Sequence, residues 1–190
     1  LGDVYKRQVF ISATISGCSK DDFEVEMLKD YATQALFYKK RLNKTLEEIN
    51  RIIDADDSKK AIVESIDSIP GIARNTAARF IAEVSNVDRF KSPKALVAFA
   101  GTDPNISQSG IVDGKHLAIT KCGNKRLCTI LFIMVRSMIR KRIPTNPIKD
   151  FYKKKTQLGL PPKVVLVACV NKLLGIIYQL NKTGEVFAHQ

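Results

Sequence analysis

Ser109 is the residue of this sequence best placed to do chemistry. It stands between Gln108 and Gly110 in the polar segment Gly101–Leu127, GTDPNISQSGIVDGKHLAITKCGNKRL. A serine that attacks a phosphodiester needs an exposed hydroxyl, cations that stabilise the pentavalent charge, and a group that handles the proton. Lys115, Lys121, Lys125 and Arg126 are near enough in sequence to supply the cations. A helix beginning near Gly123 would aim its positive end back at the loop. A Ser-Gly pair in a loop is equally the ordinary chemistry of a turn, so spacing alone leaves nucleophile and turn both open. Asp103 and Asp113 flank the serine as a metal pair or as turn and cap residues, with no third carboxylate nearby. His116 suits a general base or a solvated loop histidine.

The elements that must position this loop are helical. From Asp22 to about Ile53, the residues Leu28, Tyr31, Ala35, Tyr38, Leu42, Leu46, Ile49 and Ile53 step by three or four, one stripe of a long helix. Without Gly or Pro, that stripe reads as a coiled-coil arm, one helix of a hairpin, or a helix packed on its own domain. A short helix to Ile66, the turn Ser68-Ile-Pro-Gly-Ile72 and an Ala-rich helix at 75–84 outline a helix-hairpin-helix. Gly71 permits the turn, and the following helix N-terminus can offer N–H groups to phosphate; plain helix packing has the same outline. Ser92-Pro93 starts a helix that ends at Gly101. Apolar helices are expected at 124–142, with Leu127, Leu131, Met134, Val135 and Met138 inward, and at 162–181, with a shorter one at 147–158 carrying Lys153–Lys155. That lysine run is a solvated face or a phosphate contact. The expected fold is mainly α: an N-terminal remnant at 1–20, a helical coiled-coil arm at 21–57, and a helical bundle at 58–190. The bundle includes the hairpin-like element and an irregular or hairpin loop bearing Ser109.

Charge narrows the class of partner. Residues 1–62 hold 11 Lys and Arg against 11 Asp and Glu, whereas residues 63–190 hold 20 against 8, the whole net charge of +12. A basic excess confined to one region points to a polyanion, most often nucleic acid. Five residues separate Cys122 from Cys128, Cys18 and Cys169 stand apart, and the histidines are His116 and His189, which suggests neither a zinc site nor a disulfide framework. The reading is therefore a reducing bacterial cytoplasm. No apolar stretch is expected to span a bilayer. Lys6-Arg7, VFISATIS and Gly17-Cys18 imitate a lipoprotein signal, but Ser12, Thr14 and Ser16 interrupt the short apolar run, and that reading is rejected. The opening LGDVYKRQ fits no later pattern and is set aside from the fold.

Taken in order, SIPGIARNTAARFIAEV, DRFKSPKALVAFAGTDP, QSG, ITKCGNKRL and KVVLVACVNKLLGIIYQLNKTG resemble the C-terminal transposase domain of the one-ten/one-sixteen/nine-oh-two group of bacterial insertion-sequence transposases. The resemblance spans about residues 63–188. It implies a DNA recombinase guided by a structured bridge RNA. Ser109 would be the nucleophile that forms a transient phosphoserine link to DNA, with Gln108 and Gly110 as its motif neighbours. Ile119, Thr120, Lys121, Gly123 and Asn124 match a basic element that lines nucleic acid. Thr120 stands where serine is usual, and Cys122 occupies an often basic position, which removes one phosphate contact. The resemblance further implies a RuvC-like half, absent from this sequence, that carries a divalent metal (Mg) and shares a composite site between protomers. This chain would then hold no cofactor and be inactive alone. DNA, bridge RNA and a homo-oligomer, dimer or tetramer, through the arm are the implied partners, with no membrane. A non-catalytic helix-hairpin-helix nucleic-acid-binding module, or a decayed transposase remnant, is the alternative.

Overall fold

The amphipathic pattern beginning at Asp22 is realised as a single helix of 33 residues, α1 (Asp22–Asp54). The structure is a computed structural model and describes residues 22–103 and 122–187. The chain divides into two units, Leu1–Ile49 and Asn50–Gln190. The division falls inside α1, eight residues before the expected boundary.

In the first unit, α1 exposes most of its apolar stripe, including Tyr31, Tyr38, Leu42 and Ile49. Phe37 and Tyr38 meet edge-on with centroids 5.7 Å apart, and the Arg41 guanidinium lies 5.9 Å from the Phe37 ring.

The second unit is a helical bundle. Asp56 caps α2 (Asp57–Asp67), its carboxylate accepting from the Lys59 amide at 3.1 Å. α3 (Arg74–Val84) follows the Pro70-Gly71 turn, and a single 3-10 turn, Val87–Arg89, leads toward α4 (Pro93–Ala100). Ser92 caps α4 and Pro93 occupies its first turn, where a missing N–H costs nothing. α5 (Lys125–Met138), α6 (Pro147–Gln157) and α7 (Pro162–Thr183) complete the bundle. No strand occurs among the described residues.

One core joins these helices. α3 contributes Ala77, Phe80, Ile81 and Val84; α5 contributes Leu127, Leu131, Met134, Val135 and Met138; α7 contributes Val165, Cys169, Leu173, Leu174 and Ile177. All five inward residues expected on α5 are buried. The small residues Ala77 and Ala78 let α3 lie close to its neighbours, which include α2 and α5.

Two expectations are corrected. α5 stops at Met138 instead of running to 142, because side chains take over the carbonyls that a longer helix would use. Asn146 Nδ2 donates to Met138 O at 3.2 Å, and Lys149 Nζ donates to the carbonyls of Arg140 and Lys141. α7 is long and apolar enough, by length and composition, to cross a bilayer. Lys163, Lys172 and Lys182 punctuate the apolar run. In the bundle the buried face of α7 packs on α5 and α6.

Candidate functional site

The segment bearing Ser109 connects the end of α4 to the start of α5, and the two ends of that connection meet. Gly101 ends α4 with φ +69, a left-handed conformation that glycine adopts without steric cost. Gly123 approaches it so closely that a Cβ on Gly123 would lie 2.2 Å from Gly101 N and 2.5 Å from Phe99 O. A Cβ on Gly101 would lie 2.5 Å from Gly123 N. Backbone therefore packs on backbone, and neither position has room for a side chain. The Asn124 amide donates to Phe99 O at 2.9 Å and fastens the crossing.

Both arms of this crossing are tied to other helices. Thr102 is fully buried; its hydroxyl donates to Asn171 Oδ1 at 2.7 Å, and Asn171 Nδ2 returns a bond to Thr102 O at 3.2 Å. That reciprocal pair fixes the outgoing chain to α7. On the returning side, Asn124 Oδ1 accepts from the Arg126 and Leu127 amides, capping α5, while its Nδ2 donates to Glu83 Oε2 at 2.8 Å on α3. Asn124 thus uses both its side-chain oxygen and its side-chain nitrogen to hold the fold together.

Cations gather around this base. Lys125 and Arg126 are exposed in the first turn of α5, where the helix dipole is positive. Arg126 also borders a shallow cleft of about 330 Å³ between α3 and α5, with Arg79, Glu83, Thr129 and Ile133. Arg89 stacks on two rings, its guanidinium carbon 4.7 Å from the Phe90 centroid and 4.6 Å from that of Phe99. Stacking holds the guanidinium in one place while leaving its N–H donors free to bond outward.

Gly123, Asn124, Lys125 and Arg126 are therefore brought together at the loop base. Gln108, Ser109, Gly110, Asp113, Lys115, His116, Thr120 and Lys121 lie outside the described residues. Gly71 lies elsewhere, with φ +95, and a Cβ there would sit 2.8 Å from Met138 Cα and 3.2 Å from Ile143 Cγ2. Its lack of a side chain seats the α2–α3 turn against the end of α5. Sequence reasoning missed Thr102, Asn171, Glu83 and Arg89. The available signal was an amide, Asn171, inside an otherwise apolar helical run. Among the described residues no cluster of three His, Cys, Asp or Glu side chains is placed to hold a metal ion. No disulfide joins the described cysteines.

Residues 63–153 match the family described as Transposase IS116/IS110/IS902 family. Over that segment the chain is similar to this family. It is 31% identical over 120 residues to the pilin gene-inverting protein of Moraxella bovis, covering 63% of this chain and 37% of that protein. It is 28% identical over 141 residues to the transposase for insertion sequence element IS1111A of Coxiella burnetii, covering 74% of this chain and 37% of that one. An insertion element IS116 protein of 44.8 kDa from Streptomyces clavuligerus is 24% identical over 162 residues, covering 85% of this chain and 39% of its own. The chain thus spans less than two fifths of the length of these relatives. The family segment runs from α2 into α6 and contains the whole loop base, both glycines included.

Proposed function

We propose that this chain is the serine-bearing part of a transposase that cleaves and exchanges DNA strands. The observation that carries the reading is the clamp: Gly101 and Gly123 close the base of the Ser109 loop beside the cationic start of α5. A nucleophile must be presented in fixed geometry to a phosphodiester, and a loop pinned at both ends to α3 and α7 reduces the freedom its tip can have. Ser109 Oγ would bond to phosphorus as the bond from phosphorus to one deoxyribose oxygen breaks. The serine proton is given up and the departing oxygen gains one, so the exchange conserves charge and phosphoester count. Lys125 and Arg126, with Lys115 and Lys121 of the loop, would stabilise the extra negative charge of the pentavalent state.

On this reading Gln108, Gly110, Thr120 and Lys121 line nucleic acid beside the serine. The partners are DNA and a structured guide RNA, and the place of work is the bacterial cytoplasm. The exposed apolar stripe of α1 supports self-association through the arm. A divalent ion would be held by the RuvC-like domain of a complete transposase, and no step here uses it. The chain is expected to be inactive alone.

The second reading, a nucleic-acid-binding module without catalysis, is favoured by the α2–α3 hairpin. Ser109 discriminates the two. With the RuvC-like domain present, wild-type protein and DNA carrying the element's ends should give a denaturant-resistant protein–DNA adduct. Ser109→Ala should remove the adduct while changing binding by less than about threefold. A wild-type protein that binds DNA without ever forming the adduct supports the module instead.

A further inference from the structure

The far end of α5 carries a feature that the serine chemistry does not use. Between Met138 and Asn146 the chain makes a tight turn displaying Arg140, Lys141 and Arg142 in succession, all exposed. Its interior is organised by two side chains from the start of α6. Lys149 Nζ is surrounded by carbonyls, donating to Arg140 O at 3.1 Å, to Lys141 O at 3.3 Å and, at short range, to Ile143 O. Asn146 is buried; its Nδ2 donates to Met138 O and to Pro144 O, each at 3.2 Å, and its Oδ1 accepts from the Lys149 amide at 2.9 Å. An ammonium occupies the place where a bound cation would otherwise gather those oxygens.

Cations after a helix C-terminus are commonly explained by the helix dipole. Here Lys149 already meets that demand, since it holds the carbonyls past the helix end. Arg140, Lys141 and Arg142 are surplus to it. Among the described residues no carboxylate lies within ion-pair distance of any of the three. Three adjacent cations repel one another, a cost that an anionic partner removes. The turn is also buttressed from the side, because Gly71 brings the α2–α3 hairpin against Met138 and Ile143. It is a basic knuckle, bonded from within and braced from one side.

We propose that this knuckle is a second phosphodiester-binding surface, which grips the nucleic-acid backbone at a distance from the serine loop. The inference rests on the nucleic-acid reading above and adds a surface to it. The helix from Lys125 to Met138 is 14 residues long, about 20 Å at the α-helical rise. That distance equals about six nucleotide steps of a duplex strand. A duplex lying along α5 would meet cations at both ends.

The test uses the 190-residue chain, with fluorescence anisotropy read on a labelled duplex DNA and on an RNA hairpin of equal length, from 50 to 200 mM salt. Each phosphate contact adds about 0.9 to the slope of log affinity against log salt. R140Q/K141Q/R142Q should lower that slope by about 2 to 3 and weaken binding at least about tenfold. K39Q/K40Q/R41Q removes the same charge from α1 and should lower it by less than about 1. Whichever polymer loses more slope is the knuckle's ligand. Lys149→Met should speed amide exchange across residues 139–143 and weaken binding severalfold. Circular dichroism melts check that each variant folds; if the triple variant melts early, Arg142→Gln alone should lower the slope by about one. An unchanged slope in the knuckle variants, or equal losses in the two triple variants, overturns the proposal while leaving the Ser109 reading intact. Wild-type chain that binds neither polymer at 50 mM salt overturns both.

Discussion

Two glycines govern how the serine loop is held, for different reasons. Gly101 needs its backbone freedom, whereas Gly123 needs only empty space, since a Cβ there would stand 2.2 Å from Gly101 N. Gly123→Ala should therefore force the two backbones apart, costing about 1–3 kcal/mol in a denaturant melt, and abolish the covalent DNA adduct. Gly175, inside α7, has open space where its Cβ would be. Gly175→Ala should instead stabilise the chain by about 0.5–1 kcal/mol. Gly123 was legible in the sequence as a motif position, but its reason was not, because Gly101 is 22 residues away and only folding brings them together. Cys169 behaves differently again. Burial pushes its thiol from an ordinary 9.0 up to about 11, outweighing the opposing pull of Lys172. The folded chain then keeps a proton that the unfolded chain releases above pH 9, so stability falls as pH climbs from about 9 toward 11. Cys169→Ala should flatten that alkaline decline in melting temperature; an identical decline in the variant would show that another group drives it.

At the level of elements, the sequence read best where a local rule governs. Ser92-Pro93 predicted the start of α4 because cap and first turn depend only on neighbours, and the start of α6 at Pro147 followed in the same way. The end of α5 was misread because Asn146 and Lys149 set it from the next helix, eight or more residues on. The loop base was opaque for the same reason at longer range. Thr102 and Asn171 are 69 residues apart, and Asn124 and Glu83 are 41 apart. The stripe on α1 was legible, and in this chain it faces solvent at Tyr38 and Leu42. Paired as a coiled coil, it would bury those side chains. Tyr38→Glu with Leu42→Glu should lower the sedimentation-equilibrium mass of the wild-type assembly toward that of a single chain. The cooperative melt of the 50–190 unit should stay in place, because both substituted residues lie outside it.

Across the whole molecule, the basic excess of residues 63–190 was visible from composition, but its placement was not. Counting charges does not reveal that Lys125 and Arg126 start α5 while Arg140, Lys141 and Arg142 follow its end, with an apolar face between them. Among the described residues, every member of the buried core, from Ile53 to Ile177, falls within the Asn50–Gln190 unit. Burial of apolar area dominates folding free energy, so the core should not need residues 1–49 to form. A chain of residues 50–190 is expected to melt in one transition within about 5 °C of the intact chain, since a change of about 1 kcal/mol shifts a domain of this size by that much or less. It should also keep the salt dependence of DNA binding, because its cations surround α5. A melt lowered by more than about 10 °C, a shift far beyond 1 kcal/mol for such a domain, would mean that the arm contributes to the bundle's stability, and that α1 is an integral part of the fold as well as a handle for assembly.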